Sequence, residues 1–176
     1  MESSLVFRRL ATLTIASVFV LIAVGSIVRV TGAGMGCPDW PTCFGRIVPP
    51  TSVSELPPDY KTRWAVQGKE IADFNVVHTW TEYINRLLGV LIGLFIFSTF
   101  LASLRYRTHD RRITLAALAA LLLVMFEGWL GGKVVEHDLR SILVTAHYGA
   151  ALLVVFALIY AIVRSHQSLW TEETVM

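Results

Sequence analysis

Four long apolar stretches, separated by charged or proline-rich links, constrain this chain more than any other feature. Leu10 to Val28 is 19 residues without a charge, Leu87 to Leu104 is 18, and Ser141 to Val163 is 23. Between the last two, Ile113 to Met125 continues past Glu127 to about Val135. A helix needs about 20 apolar residues to cross the hydrocarbon core, so each stretch can span. The expected fold is all-α: an integral membrane four-helix bundle in one domain, with spans at about 10–28, 75–104, 113–135 and 141–163. Composition agrees, with 55% hydrophobic and only 16% charged residues and a mean hydropathy of +0.61. An ordinary soluble domain is excluded. The first stretch is too long for the apolar region of a signal peptide, and Arg29-Val30-Thr31-Gly32 is a poor cleavage neighbourhood.

The formal net charge of +2 says little about partners; no nucleic acid is expected, and lipid is. Its distribution says more. Arg8 and Arg9 precede the first span, Arg105, Arg107, Arg111 and Arg112 fill the link between spans two and three, and Arg164 follows the fourth. By the positive-inside rule both termini and that link are cytoplasmic, and the loops at 29–74 and about 133–140 face out. In a bacterium the host bilayer is then the inner membrane. All six prolines fall in the first outward loop, which should be mostly irregular. Both cysteines, Cys37 and Cys43, lie there too. In an oxidising compartment a disulfide closing a small ring is expected, with two free thiols as the alternative.

Ionisable groups inside a membrane are costly and point to function. His78, Glu82 and Asn85 are spaced to share one helical face of the second span, with Arg86 one turn after Glu82. Glu127 lies in the outer half of the third span, and His147 about two turns into the fourth. The polar residues of three helices thus reach the same depth. Histidines on facing helices can hold haem iron, an arginine can pair with a propionate, and a carboxylate can move protons. Zinc lacks further ligands nearby. Non-haem iron on His78, Glu82 and His147 stays open, as does a histidine that only bridges helices. Lys133, Glu136 and Asp138 should form a polar rim, and Trp40, Trp64, Trp80 and Trp129 an interfacial aromatic belt.

The run Arg29-Val30-Thr31-Gly32-Ala33-Gly34-Met35-Gly36-Cys37-Pro38-Asp39-Trp40-Pro41-Thr42-Cys43-Phe44-Gly45 resembles the first-loop signature of the haem A synthase family. Glu82-Tyr83-Ile84-Asn85-Arg86 is similar to that family's Glu-Tyr-x-His-Arg motif. Glu127-Gly128-Trp129-Leu130-Gly131-Gly132 is similar to its Gln-x-x-Leu-Gly-Gly, and His147 falls at its fourth-helix haem ligand. The resemblance runs from about Phe7 to Val163. It implies oxidation of the C8 methyl of haem O to a formyl group for cytochrome oxidase, with a haem b cofactor. It also implies Glu82 as catalytic carboxylate, Arg86 beside the ligand, His147 as axial ligand, and Cys37 with Cys43 as the loop pair.

Two departures from that pattern matter. Typical members have eight helices in two homologous halves, and this chain resembles one half, so a homo-oligomer is the expected assembly. Asn85 stands at the histidine of the second-helix motif, and His78, roughly 10 Å along the axis at 1.5 Å per residue, is the only histidine of that helix. A second expectation is therefore a non-catalytic, haem-binding accessory subunit of a terminal oxidase; haem O synthase or oxidase subunits are the expected partners. A disulfide-forming quinone reductase also has four helices, but it works with two cysteine pairs, and this chain has one.

Overall fold

The computed structural model describes residues 2–173. They form α1 (Glu2–Val30), α2 (Tyr60–Arg63), α3 (Val76–Ser103), α4 (Arg111–Glu136) and α5 (Ser141–Glu173), with short 3-10 turns at Ala33–Met35, Val53–Glu55 and Leu104–Tyr106. Among the described residues no strand forms, and two isolated bridges, Cys43 with Arg46 and Val66 with Lys69, are the whole of the β-structure. The all-α expectation holds. The four long helices are each apolar and long enough to cross a membrane, which makes this a multi-pass membrane protein. α1, α4 and α5 overrun their expected spans into polar residues, whereas α3 stops one residue inside its expected span at each end. Helical hydrogen bonding continues as long as flanking arginines and lysines can lay their stems along the apolar surface and keep their charges in water.

Hydroxyl residues are common inside these helices, and the structure shows why lipid tolerates them. Thr14, Ser17, Ser26, Ser98, Thr99 and Thr145 each donate to the carbonyl four residues earlier, at 2.8–2.9 Å. The backbone thus satisfies each of these six hydroxyls inside hydrocarbon.

The helices contribute to two compact units. One is built on Val90–Glu127 with the flanking parts of α1 up to Val20 and of α5 from Gly149. Phe7, Ala11, Tyr106, Ile113 and Ala161 form its buried cluster, with Phe7 edge-on to Tyr106 at 5.2 Å. The Thr14 and Thr99 hydroxyl oxygens also meet at 2.9 Å in a buried contact, in which one of the two divides its proton between its own backbone carbonyl and the other hydroxyl. Arg164 donates to Asp110 at 2.6 Å, and Arg8 to the Ser165 carbonyl at 2.6 Å.

The other unit comprises Leu21–Gly89 and Gly128–Tyr148 and contains the long loop. The loop has its own core of Cys37, Cys43, Phe44, Leu56 and Tyr60. Phe44 meets Tyr60, Trp64 and Phe74 edge to face. Glu55 caps its own 3-10 turn and binds Arg46 at 2.7 Å. Irregular by sequence, the loop is nonetheless an ordered small subdomain.

Candidate functional site

The disulfide is formed: Cys37 and Cys43 close a ring with a sequence separation of 6. Inside it, Asp39 acts as a hub. Its carboxylate accepts the Phe44 N–H at 2.6 Å, the Gly45 N–H at 2.8 Å and the Thr42 hydroxyl. Asp, Pro and Gly are the residue types that favour such turns, and Asp39, Pro41 and Gly45 supply them here, although Asp39 entered the sequence reading only as part of the loop signature.

The ring sits on the first turns of α3. Thr79 donates to the Gly36 carbonyl at 2.9 Å. A Cβ at Gly36 would overlap the backbone carbonyl of His78 and lie 2.7 Å from the Thr79 nitrogen; only glycine permits this approach. Glu82 Oε2 accepts the Cys37 N–H at 2.7 Å. Glu82 Oε1 accepts from Arg86 Nε at 3.1 Å and also from Arg86 Nη2. Arg86 Nη1 donates to the Asp39 and Thr42 carbonyls at 2.7 and 2.9 Å, and Nη2 to the Cys37 carbonyl at 3.0 Å. The side chains of Glu82 and Arg86 are 5% and 16% exposed. A buried pair of this kind is stable only when its spare donors and acceptors are satisfied, and here the ring's backbone satisfies them.

The ring also touches α4. A Cβ at Gly132 would come within 3.0 Å of the Trp40 indole. The preceding Gly131 backs onto His147: a Cβ there would lie 3.5 Å from His147 Cε1. Asn85 faces α1, with its Oδ1 3.9 Å from the Cβ position of Gly25, and that buried oxygen has no hydrogen-bond partner among the described residues.

The expected site residues are thus brought together unevenly. Cys37, Cys43, Glu82 and Arg86 form one connected network, and His147 is joined to it by the path Gly131, Gly132, Trp40. His78 lines a groove of about 280 Å³ under the loop, with Met35, Phe44, Ile71 and Phe74 among its walls and His147 not among them. Glu127 is buried in α4 but belongs to the other unit. Among the described residues no group of three His, Cys, Asp or Glu side chains is placed to hold a metal ion, so the trio His78, Glu82 and His147 is not assembled as a non-haem iron site. Lys133 and Glu136 do pair on the rim, at 2.6 Å.

For haem the donor set fits better. His147 offers an imidazole against a helix backbone without a Cβ at Gly131, the kind of surface a flat ring requires. Gly89, one turn beyond Asn85, has no atom within 4 Å of its Cβ position, so there is open space beside the α3 polar face. The amide of Asn85 is a poor iron ligand.

No solved structure matches this chain. Among curated proteins, a heme A synthase of Shewanella oneidensis is 28% identical over 174 residues, covering 94% of this chain and 48% of the relative. A heme A synthase of Nitrosospira multiformis is 30% identical over 160 residues, 82% of this chain and 44% of the relative. One of Pelagibacter ubique is 25% identical over 177 residues, 92% and 52%. The chain therefore spans about half the length of the curated relatives it matches. The family model described as cytochrome oxidase assembly protein (COX15-CtaA) matches residues 8–175, and on that match, covering nearly all of the sequence, the chain belongs to the cytochrome oxidase assembly protein family.

Proposed function

We propose that this chain takes part in haem A synthesis, oxidising the C8 methyl group of haem O to a formyl group in support of cytochrome oxidase, with a haem b as cofactor. The observation that carries this reading is the interlocking of the family's separate motifs. The loop signature and the α3 carboxylate–arginine pair are one hydrogen-bonded assembly, and it packs on the α4 glycines beside His147. In this reading His147 would hold the haem iron, and His78 would serve as the second imidazole only in a form of α3 that brings it out of the groove it lines here. Bound haem supplies the redox chemistry. The protein supplies orientation and a proton-handling group. Glu82 is that group: its Oε2 accepts the Cys37 N–H, so the charge of Glu82 and the seating of the loop are linked. We place the termini in the cytoplasm, the loop on the periplasmic side of a bacterial inner membrane, and a second copy of the chain in the working assembly.

Expression with a haem O source, followed by pigment extraction, tests the activity. Haem A is expected; its absence under conditions where an eight-helix relative makes it sinks the proposal. Oxidised and reduced spectra of the purified protein test the ligands: a sharp reduced band should survive Asn85→Ala and vanish in His147→Ala and in His78→Ala. A second reading, a haem-carrying accessory subunit of a terminal oxidase, is favoured by the amide of Asn85 at the motif's histidine position. Co-purification with an oxidase, and haem carried without conversion, would select it.

A further inference from the structure

We propose that Arg86 is a positioning residue: it latches the Cys37–Cys43 ring in place as a wall of the His147 site and does not itself meet the ligand. The identity of that ligand rests on the haem reading above; the latch rests on contacts within the protein. A guanidinium has five N–H donors and no acceptor. All five are consumed here, by Glu82 Oε1 twice and by the carbonyls of Cys37, Asp39 and Thr42. Nothing is left for an anionic ligand such as a porphyrin carboxylate. The three carbonyls all come from one small ring, whose geometry Asp39 sets. The planar fork of arginine can reach them together with Glu82, whereas a lysine ammonium has only three donors at a single point.

The ring that Arg86 ties to α3 also lays Trp40 on Gly132 of α4, and the adjacent Gly131 supports the His147 ring. Release of the latch therefore uncovers the glycine shelf beside the imidazole without touching the imidazole. This differs from a propionate contact, which would leave the ring where it is.

The test uses the full chain in detergent micelles with two probes, ferric protoporphyrin IX and its dimethyl ester, in which both carboxyls are masked. Dissociation rates, absorption maxima and the rate of disulfide reduction by dithiothreitol (read by maleimide gel shift) are compared in the parent protein, Arg86→Gln, Arg86→Lys and Trp40→Ala. Arg86→Gln should raise the dissociation rate of both probes alike, by about tenfold, or about 1.4 kcal/mol. The absorption maximum should stay unchanged, and the disulfide should be reduced faster. Arg86→Lys should not rescue either rate, and Trp40→Ala should speed dissociation less. An effect confined to the free acid would mean that Arg86 meets a carboxylate, and would overturn the latch; so would an unchanged reduction rate. If the parent protein binds neither porphyrin, the haem reading fails, and the reduction rates alone decide the latch. If Arg86→Gln does not accumulate, Trp40→Ala decides: equal loss of both probes supports the wall, and no loss of either removes it.

Discussion

Where the loop-bearing unit ties its segments with a disulfide and a guanidinium bonded five ways, the unit built on Val90–Glu127 joins its helices along their length by small side chains and a shared hydroxyl, and uses arginines, Arg8 and Arg164, only near the helix ends. Ala11, Ala117, Ala120 and Ala161 are fully buried in the latter, and Thr14 meets Thr99 there. The difference follows from backbone accounting. A helix satisfies its own peptide groups, so helices in lipid need only close approach and an occasional hydrogen bond. An irregular loop leaves carbonyls and N–H groups without partners. Something charged, with many donors, must collect them. Arg86 and Glu82 do this for the ring, at the cost of burying two charges whose value depends on each other.

That contrast can be broken from both ends. The largest effect is expected from Glu82→Ala, which leaves the Arg86 charge buried with one partner gone. Removal of one member of a buried pair costs about 3–5 kcal/mol, and thermal unfolding in micelles should register it; a loss below about 1 kcal/mol would show that the pair is not the tie described here. Next, replacing Cys37 and Cys43 together by Ser should cost about 2 kcal/mol, the chain-entropy value for so short a ring. Limited proteolysis should then cut between Pro38 and Pro50 first, and cleavage elsewhere would mean that Arg86 alone holds the ring. In the other unit Thr99→Val removes the hydroxyl pair and the donation to the Phe95 carbonyl while keeping the side-chain shape. It should cost about 0.6 kcal/mol, as interhelical hydrogen bonds in membranes do, and a loss comparable to that of Glu82→Ala would erase the contrast.

The smallest effect concerns Glu55, on the loop's exposed side. The Thr51 hydroxyl, the Thr51 N–H and then Arg46 hold its carboxyl at about 2, below the ordinary 4.5. A depressed carboxylate contributes stability that is full above the unfolded value and is lost as pH falls through the folded one. The advantage of the parent protein over Glu55→Gln should therefore hold above pH 4.5 and fade between there and pH 2. A pH series of loop proteolysis in both proteins measures it; a constant difference across that range would show that the Glu55 contacts do not stabilise the loop.

The four spans were legible because apolar length alone decides whether a helix can cross a bilayer, and the overruns of α1, α4 and α5 were not, because polar flanks carry no such length signal. Of the candidate site, the Glu82–Arg86 contact was readable from its spacing of four. The destination of the other arginine donors was not. They go to carbonyls of Cys37, Asp39 and Thr42, 44 to 49 residues away in the chain, and backbone acceptors leave no trace in side-chain identity. Gly36 and Gly132 stood in the sequence only as members of the quoted motifs, and nothing local marks them as contact positions as against Gly89, which has open space beside it. Asn85 and His78 were noted as a departure from the motif. The structure sends Asn85 toward Gly25 of α1 and His78 into the groove under the loop, an arrangement that heptad-like spacing cannot predict.

By itself, then, the amino-acid order determined that this chain has four helices able to cross a membrane and that Glu82 lies one turn from Arg86, since hydrophobic length and helical periodicity are one-dimensional properties. Only the tertiary structure decided that Arg86 spends its donors on a distant loop and that this loop rests on the glycines beside His147. Such choices depend on which peptide groups folding leaves without partners, and that is settled by proximity in space.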